Sequence, residues 1–591
     1  MVVHNMSEIF NERPHQNEKE EALDYIRVLL EQARLESRVE DVPKLEKLLE
    51  LIDSKRYGLV WEEHAELVEE KMKTQIPVFF EADEKKIIVD YDKDKYNFIL
   101  EGDNLHSLHL LLKTHREMID VIYIDPPYNT GNKDFVYNDK IVDKEDIYFH
   151  SKWLSFMEKR LELARELLSE DGVIFISIDD NEQAQLKLLC NEIFQEQNFV
   201  TVFIWKVTGH TDNQDDITHN HEYIYCIAKN KNKLKINKVV DPNIPIVSKV
   251  HRDFVENSIT KNGKKNPPSF IELPKGFPCV VEELEREVFD NFEDFYETVS
   301  RNGYISRSIT KEYSPTYPIP VTEMKVKNYQ LDKPCTVFSG WMNNGKLKKF
   351  IDNGFQPIDD NGTQLSFYLS KNGVIYYRRE NRESHYVQTV LENLGTTETN
   401  KYLLESMGID FDYPKPIELI KYIISLYSKS ESTILDFFAG SGTTAHALAL
   451  INKEDGGNRK YILCTNNENN ICEEVTYKRI VNIQEKLPHN LKYYKTKFIN
   501  KDDEELEYAL LNNVKTLIEL EHAIDLEESD KAVAFTLSEI RGLELSGIKT
   551  VYVRQHSHAL MEKEDKLRYE NIELIDVPEY YFASEMREAG L

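Results

Sequence analysis

Residues 122–131, IYIDPPYNTG, constrain this chain more than any other stretch. The apolar run of residues 121–124 stops at Asp125-Pro126-Pro127-Tyr128. A short continuous apolar run describes a strand buried on both faces, as in a parallel sheet. Two adjacent prolines cannot continue a central strand, because each lacks the ladder N–H and has a fixed φ. The tetrapeptide is therefore predicted to be a rigid loop at a strand's carboxyl end, the edge where open α/β sheets bind ligands. Its groups suit an exocyclic amine. The Asp125 carboxylate and the Pro126 carbonyl can accept from an NH2 group, and Tyr128 can stack on the ring that carries it. The bland alternative for these residues taken alone is a strand-ending turn.

A second stretch, Asp436-Phe437-Phe438-Ala439-Gly440-Ser441-Gly442-Thr443-Thr444, reads as strand, tight turn and helix start. Glycines in such a turn let backbone approach a ligand, and the free N–H groups of a helix start favour a carboxylate. Three readings compete. A phosphate-gripping loop lacks the lysine it needs after Gly442, and a dinucleotide fingerprint would have its third glycine at Ala445. The third reading is a cradle for the methionine end of S-adenosylmethionine.

With 591 residues the chain is long enough for several domains. No stretch has the apolar length of a membrane span, and the polar N-terminus is not a secretory signal. Six scattered cysteines without a CxxC pair argue against structural zinc or a disulfide framework and fit a reducing cytoplasm. A net charge of −30 is unfavourable for nucleic-acid binding, but it is unevenly spread. Residues 225–275 hold 11 Lys/Arg against 4 Asp/Glu, which is either a solvated loop or a phosphate-facing stretch.

Residues 1–75 are predicted as a helical lead-in (EALDYIRVLLEQARLE, VPKLEKLLELIDSK, WEEHAELVEEKMK), with Leu23, Ile26, Leu29 and Leu30 at helical spacing. Strand–helix alternation over 76–230 favours a doubly wound α/β sheet. Residues 231–410 lose that rhythm and read as an inserted module; 411–497 resume it, and 498–591 form a small acidic α/β domain. His219, His221 and Trp205 are read as structural.

Taken together, the two loops resemble the amino-group DNA methyltransferases, whose DPPY and FxGxG motifs stand here at residues 125–128 and 438–442. The amine motif precedes the cofactor motif, with the large module between, an order that resembles the circularly permuted β-group of N6-adenine methyltransferases. Asp rather than Ser at position 125 favours adenine over cytosine. LEGDNLHSLHLL, HSKWLSFMEKRL, HEYIYCIAKN and DVPEYYFASEMREAG look like the modification (Mod) subunits of type III restriction–modification systems.

The resemblance implies a Rossmann-like fold, S-adenosylmethionine as cofactor, no metal, and methylation of adenine N6 in double-stranded DNA by base flipping. It implies that Asp125, Pro126, Pro127 and Tyr128 are catalytic. It also implies that Asp103, Lys415, Asp436, Phe438, Gly440, Gly442, Thr443 and Thr444 serve the cofactor, the two threonines near its carboxylate. The ribose contact stays open among Asn466, Asn467 and Glu468. The implied partners are duplex DNA, a second copy of the chain and a separate restriction subunit. The competing readings are a solitary regulatory methylase, a non-catalytic recognition subunit, and methylation of RNA or a protein amide. Sequence recognition falls to the insert, whose basic clusters (Lys229, Lys231, Lys233, Lys235; Lys261, Lys264, Lys265; Arg378, Arg379) are candidates for phosphate contact.

Overall fold

The computed structural model describes residues 18–35, 42–45, 61, 64–89, 95–131, 135–137, 140–142, 146–207, 219–245, 247–248, 252–380 and 386–590. Its centre is a sheet of ten strands. In chain order these are β1 (Gln75–Glu81), β2 (Tyr96–Glu101), β3 (Ile119–Ile124), β4 (Leu168–Ile178) and β5 (Phe199–Lys206). Then follow β6 (His221–Ala228), β7 (Val390–Leu391), β8 (Thr433–Asp436), β9 (Lys460–Thr465) and β10 (Asn490–Asn500). Across the sheet the order is β1-β10-β2-β9-β8-β3-β4-β6-β5-β7. The six strands from β10 to β4 run parallel. β6 is antiparallel to β4, and β5 is antiparallel to β6.

Helices cover both faces, as a doubly wound sheet requires. β3 shows why. Its alternate residues Ile122 and Ile124 join a core under α1 (Asn104–His115), α2 (Phe149–Leu167) and α3 (Gln183–Phe194), which supply Leu108, Trp153, Met157 and Leu186. Val121 and Tyr123 join the opposite core under α4 (Ile417–Ser425) and α5 (Thr443–Asp455), with Ile420, Ile423 and Leu448. The period-2 alternation of a strand thus has an apolar partner on either side.

Two differences from the sequence expectation stand out. The insert has short helices that its irregular composition did not announce, among them Phe292–Asn302 and Asn344–Asp352, packed on its own small sheets. Of the three predicted N-terminal helices, the first is helical over Glu18–Leu35, the middle one lies mostly outside the described residues, and the last begins only at Leu67 (Leu67–Thr74), with residues 61 and 64–66 outside it. After residue 500 a parallel three-stranded sheet (Lys531–Ala534, Thr550–Arg554, Glu573–Val577) follows two helices that join the first core. Among the described residues no helix is long and apolar enough to cross a membrane. All six cysteines are buried free thiols.

One buried ion pair ties the N-terminal segment to the sheet. Arg160 of α2 is fully buried and grips Glu66 in a fork, Nη1 to Oε1 at 2.8 Å and Nη2 to Oε2 at 3.1 Å. Its Nε donates to Asn104 Oδ1 at 2.6 Å, and Asn104 Nδ2 donates to the Phe437 carbonyl at 2.9 Å. Removing one member of such a pair strands the other charge without a partner. Arg160→Met is expected to cost about 3–5 kcal/mol, read as a fall in the denaturant midpoint; an unchanged midpoint would show that the pair is not structural.

Candidate active site

β3 and β8 are neighbours, with Val121 opposite Ile434 and Ile122 opposite Leu435. The two loops singled out in the sequence therefore leave the same edge of the sheet side by side. The first is held from below. The Trp153 indole N–H donates to the Pro127 carbonyl at 2.7 Å. Asn129, fully buried with φ of 60°, donates to Glu182 Oε1 at 2.5 Å, and that oxygen also meets His150 Nδ1 at 2.7 Å. Burial pushes the Glu182 carboxyl up to about 7.

The second loop wraps a buried carboxylate. Asp436 accepts from the Phe438 N–H at 3.0 Å and from Thr444 Oγ1 at 2.5 Å. Gly440 (φ 47°) and Gly442 (φ 72°) take left-handed conformations that a side chain would strain, and a Cβ on Gly442 would press on Thr476 at 3.2 Å. Behind the loop lies Arg479, fully buried, whose Nη1 donates to the Ser441 carbonyl at 3.1 Å and to Thr443 Oγ1 at 2.8 Å. Burial pulls its guanidinium down to about 9.

Between the loops opens a cavity of about 1020 Å³. Asp103, Asp125, Pro126, Pro127, Tyr128, Lys415, Phe438 and Gly440 line it. Asp436, Gly442, Thr443 and Thr444 do not; they sit behind the second loop. The threonine hydroxyls are turned inward because the buried Asp436 carboxylate and Arg479 guanidinium need polar partners. Asn466 and Glu468 reach the wall beyond β9, whereas Asn467 accepts from the Glu473 N–H at 3.2 Å. Asp103 caps α1 through the Leu105 N–H at 2.8 Å.

A four-residue cluster forms the floor at the first loop. Lys415 Nζ lies 2.8 Å from Glu222 Oε2, 3.3 Å from Asp125 Oδ1 and 2.7 Å from the Tyr128 hydroxyl. That hydroxyl is 3.0 Å from Asp125 Oδ1 and 2.8 Å from Glu222 Oε2. Burial raises the Asp125 carboxyl and the Glu222 charge raises it further, while Lys415 opposes both. Burial alone would lower Lys415, but the two carboxylates outweigh it and hold the ammonium protonated. Burial and the same carboxylates keep the Tyr128 phenol neutral. Trp205, read as structural, is buried with the Lys415 ammonium 5.8 Å from its ring centre.

Glu222 escaped the sequence reading. It stands one residue into β6, and because β6 runs antiparallel to β4, its start lies at the edge where the parallel strands end. The HEYIYCIAKN pattern marks a strand but not which of its ends meets the site.

Among the described residues the cavity wall includes Glu66, Asp103, Asp125, Glu222 and Glu468 with Lys415 as its cation, while Arg160 behind the wall pairs with Glu66 and lies 3.5 Å from Asp103. Such a wall repels a pyrophosphate and suits a cationic ligand, so it disfavours both phosphate-binding readings of the glycine-rich loop. The basic clusters do not converge here. Lys229 follows the far end of β6 and lies 3.2 Å from Glu117; Lys233 pairs with Glu170 at 2.8 Å. Arg378 pairs with Glu380 at 2.6 Å, and Arg379 pairs with Asp360. Among the described residues no group of three His, Cys, Asp or Glu is arranged to hold a metal.

Residues 119–477 match the profile of a DNA methylase family. The chain belongs to that DNA methylase family. It is 30% identical over 417 residues to the type II methyltransferase M.KpnI of Klebsiella pneumoniae, a match covering 68% of this chain and 87% of that protein. It is 31% identical over 421 residues to the EcoPI Mod subunit of a type III restriction–modification enzyme from Escherichia phage P1, covering 64% and 58% respectively. To the StyLTI Mod subunit of Salmonella typhimurium it is 32% identical over 422 residues, covering 66% and 56%. The chain thus spans little more than half the length of the Mod relatives. The matched methylase segment contains both loops and the whole cavity floor.

In this candidate site Asp436 supplies a pH test. Burial lifts its carboxyl to about 7, against the pull of Thr444 and the Phe438 N–H. The unfolded chain releases this proton near pH 4, so the group makes the fold less stable as pH rises from about 4 to 7. Asp436→Asn is expected to flatten that slope relative to the parent when stability is measured across the interval. Parallel slopes in parent and variant would contradict the assignment.

Proposed function

We propose that this methylase transfers a methyl group from S-adenosylmethionine to adenine N6 in double-stranded DNA, as the modification subunit of a type III restriction–modification system. The observation that carries the reading is the pairing of β3 with β8, which sets an acceptor loop for a planar amine and a glycine-rich loop on one acidic cavity. The Mod relatives are named as subunits of type III enzymes, which supports the same setting here. On that ground we assign the chain a separate restriction subunit as partner; a second copy of itself, and sequence recognition by the insert at 231–410, are carried over from the family resemblance alone.

The residues present fit the cofactor. A sulfonium and an ammonium are both cations, and the wall offers carboxylates. Phe438 and Gly440 would shape the pocket, Asp103 would meet the ammonium, and Asn466 and Glu468 would take the ribose hydroxyls. When bound, S-adenosylmethionine supplies an electrophilic methyl group on sulfur.

An adenine stacked in a duplex cannot enter a recessed cavity, so it must leave the stack. Extrusion costs a few kcal/mol, partly offset by about 1–3 kcal/mol from stacking on an aromatic ring such as Tyr128. The adenine amine is a poor nucleophile because its lone pair is delocalised into the ring. Acceptance of its hydrogens by Asp125 and the Pro126 carbonyl draws that lone pair out and aims it along the cavity. The Trp153 bond to Pro127 and the Asn129–Glu182 bond keep the loop rigid, so little reorganisation is needed during transfer.

Asp125→Ala is expected to lower the methylation rate by about 10²-fold or more while DNA binding survives, checked by transfer of labelled methyl groups alongside a binding titration. Methylation near the parent rate would defeat this reading.

A further inference from the structure

The Asp125–Tyr128–Glu222–Lys415 cluster contains one more carboxylate than binding an amine requires. Lys415 is closer to Glu222 (2.8 Å) than to Asp125 (3.3 Å). Glu222 therefore draws the ammonium away from Asp125, leaving the Asp125 carboxylate acceptor capacity for an incoming amine. Tyr128 has one hydroxyl hydrogen and two carboxylates in reach, at 2.8 and 3.0 Å, while Lys415 donates into the same oxygen at 2.7 Å. That is a continuous path of hydrogen bonds from Asp125 through the Tyr128 hydroxyl to Glu222.

Methylation of an amine leaves a proton to place, and this path offers a route for it. The N6–carbon bond forms, the carbon–sulfur bond breaks with its electron pair left on sulfur, and the nitrogen must give up one proton. We propose that Glu222 is a positioning residue for this transfer: it anchors Lys415 and the Tyr128 hydroxyl, and through that hydroxyl it receives the proton shed by the amine. Asp125 takes the proton from nitrogen and passes it to the Tyr128 oxygen as the tyrosine hydrogen moves on to Glu222. The step ends with Asp125 ionised again and Glu222 neutral, ready to release the proton to solvent. Glu222 is open to that last step, its side chain keeping 22% of its exposure against 26% for Asp125, so the hydrogen bonds to Tyr128 and Lys415, and not exposure, set the direction. This inference rests on the methyltransferase reading and extends it to a residue outside both motifs.

The charged and titratable groups around the path come from several elements. Tyr123 of β3, Asp436 of β8 and Lys415 ahead of α4 face Asp125, and Asp179 after β4 faces Glu222. Besides these, Glu222 itself faces Asp125 and its charge raises the Asp125 carboxyl. Neutralising Glu222 therefore lowers the pH at which Asp125 ionises; loosened packing would shift it the same way by hydrating Asp125, so the charge-keeping Glu222→Asp, which should restore the limb, separates the two.

The test compares the full chain with Glu222→Gln and Glu222→Asp, using a DNA duplex with 2-aminopurine at the target position for flipping and the normal duplex for methylation. We expect Glu222→Gln to keep DNA affinity and cofactor-free 2-aminopurine fluorescence. Its kcat should fall about 10²-fold, and the acid limb of its pH profile should move to lower pH. Glu222→Asp should regain part of the rate. A Glu222→Gln enzyme with parent kcat and an unmoved acid limb overturns the proposal. So does loss of flipping and rate together in both variants, which would mark a purely structural role. If the parent chain itself transfers no methyl group to adenine, the methyltransferase reading fails first and takes this inference with it.

Discussion

The site depends on a short parallel pairing between two strands that are remote in sequence. β8 has only four residues, and two of its pairs with β3 bring the acceptor loop and the glycine-rich loop together. The Thr433 N–H adds a bond to Asp120 Oδ2 at 2.9 Å across 313 residues of chain. Closing so long a loop costs only slightly more entropy than closing a shorter one, because the cost grows with the logarithm of length. An insert of that size between the half-sites is therefore tolerable, provided that it has its own core. The residues around Ile259, Val337 and Phe367 supply one.

Charge then decides what the paired loops can hold. A cavity whose wall carries several carboxylates and one ammonium favours cationic ligands and amine donors. Within it, Lys415 prevents Asp125 and Glu222 from repelling each other apart, and the Tyr128 hydroxyl links them. Behind the second loop the logic reverses: the fully buried Arg479 holds backbone and hydroxyl oxygens, and among the described residues no carboxylate pairs with it. The two loops are rigid for different reasons, one braced by an indole and an amide, the other by a guanidinium and a buried acid.

Both loops and the strands beneath them were legible in the sequence, because apolar runs ending in Pro-Pro or in a glycine turn have few structural solutions. The doubly wound sheet followed from strand–helix alternation. The supporting side chains were not legible. Glu222, Arg160 and Arg479 act through partners far away in sequence, and no local spacing announces such a contact. Thr443 and Thr444 show the converse. Their position at a helix start suggested ligand contact, but the buried polar groups behind the loop take their hydroxyls. The basic clusters were visible as composition, yet Lys229, Lys233 and Arg379 pair with acids from other segments.

The central claim is that adjacent amine and glycine-rich loops make a site for methylating adenine in duplex DNA. Modification-sensitive sequencing of DNA from cells expressing this chain alone tests it most directly. The account predicts N6-methyladenine confined to one sequence context. Absence of modified adenine, or modification of cytosine N4 instead, would contradict it.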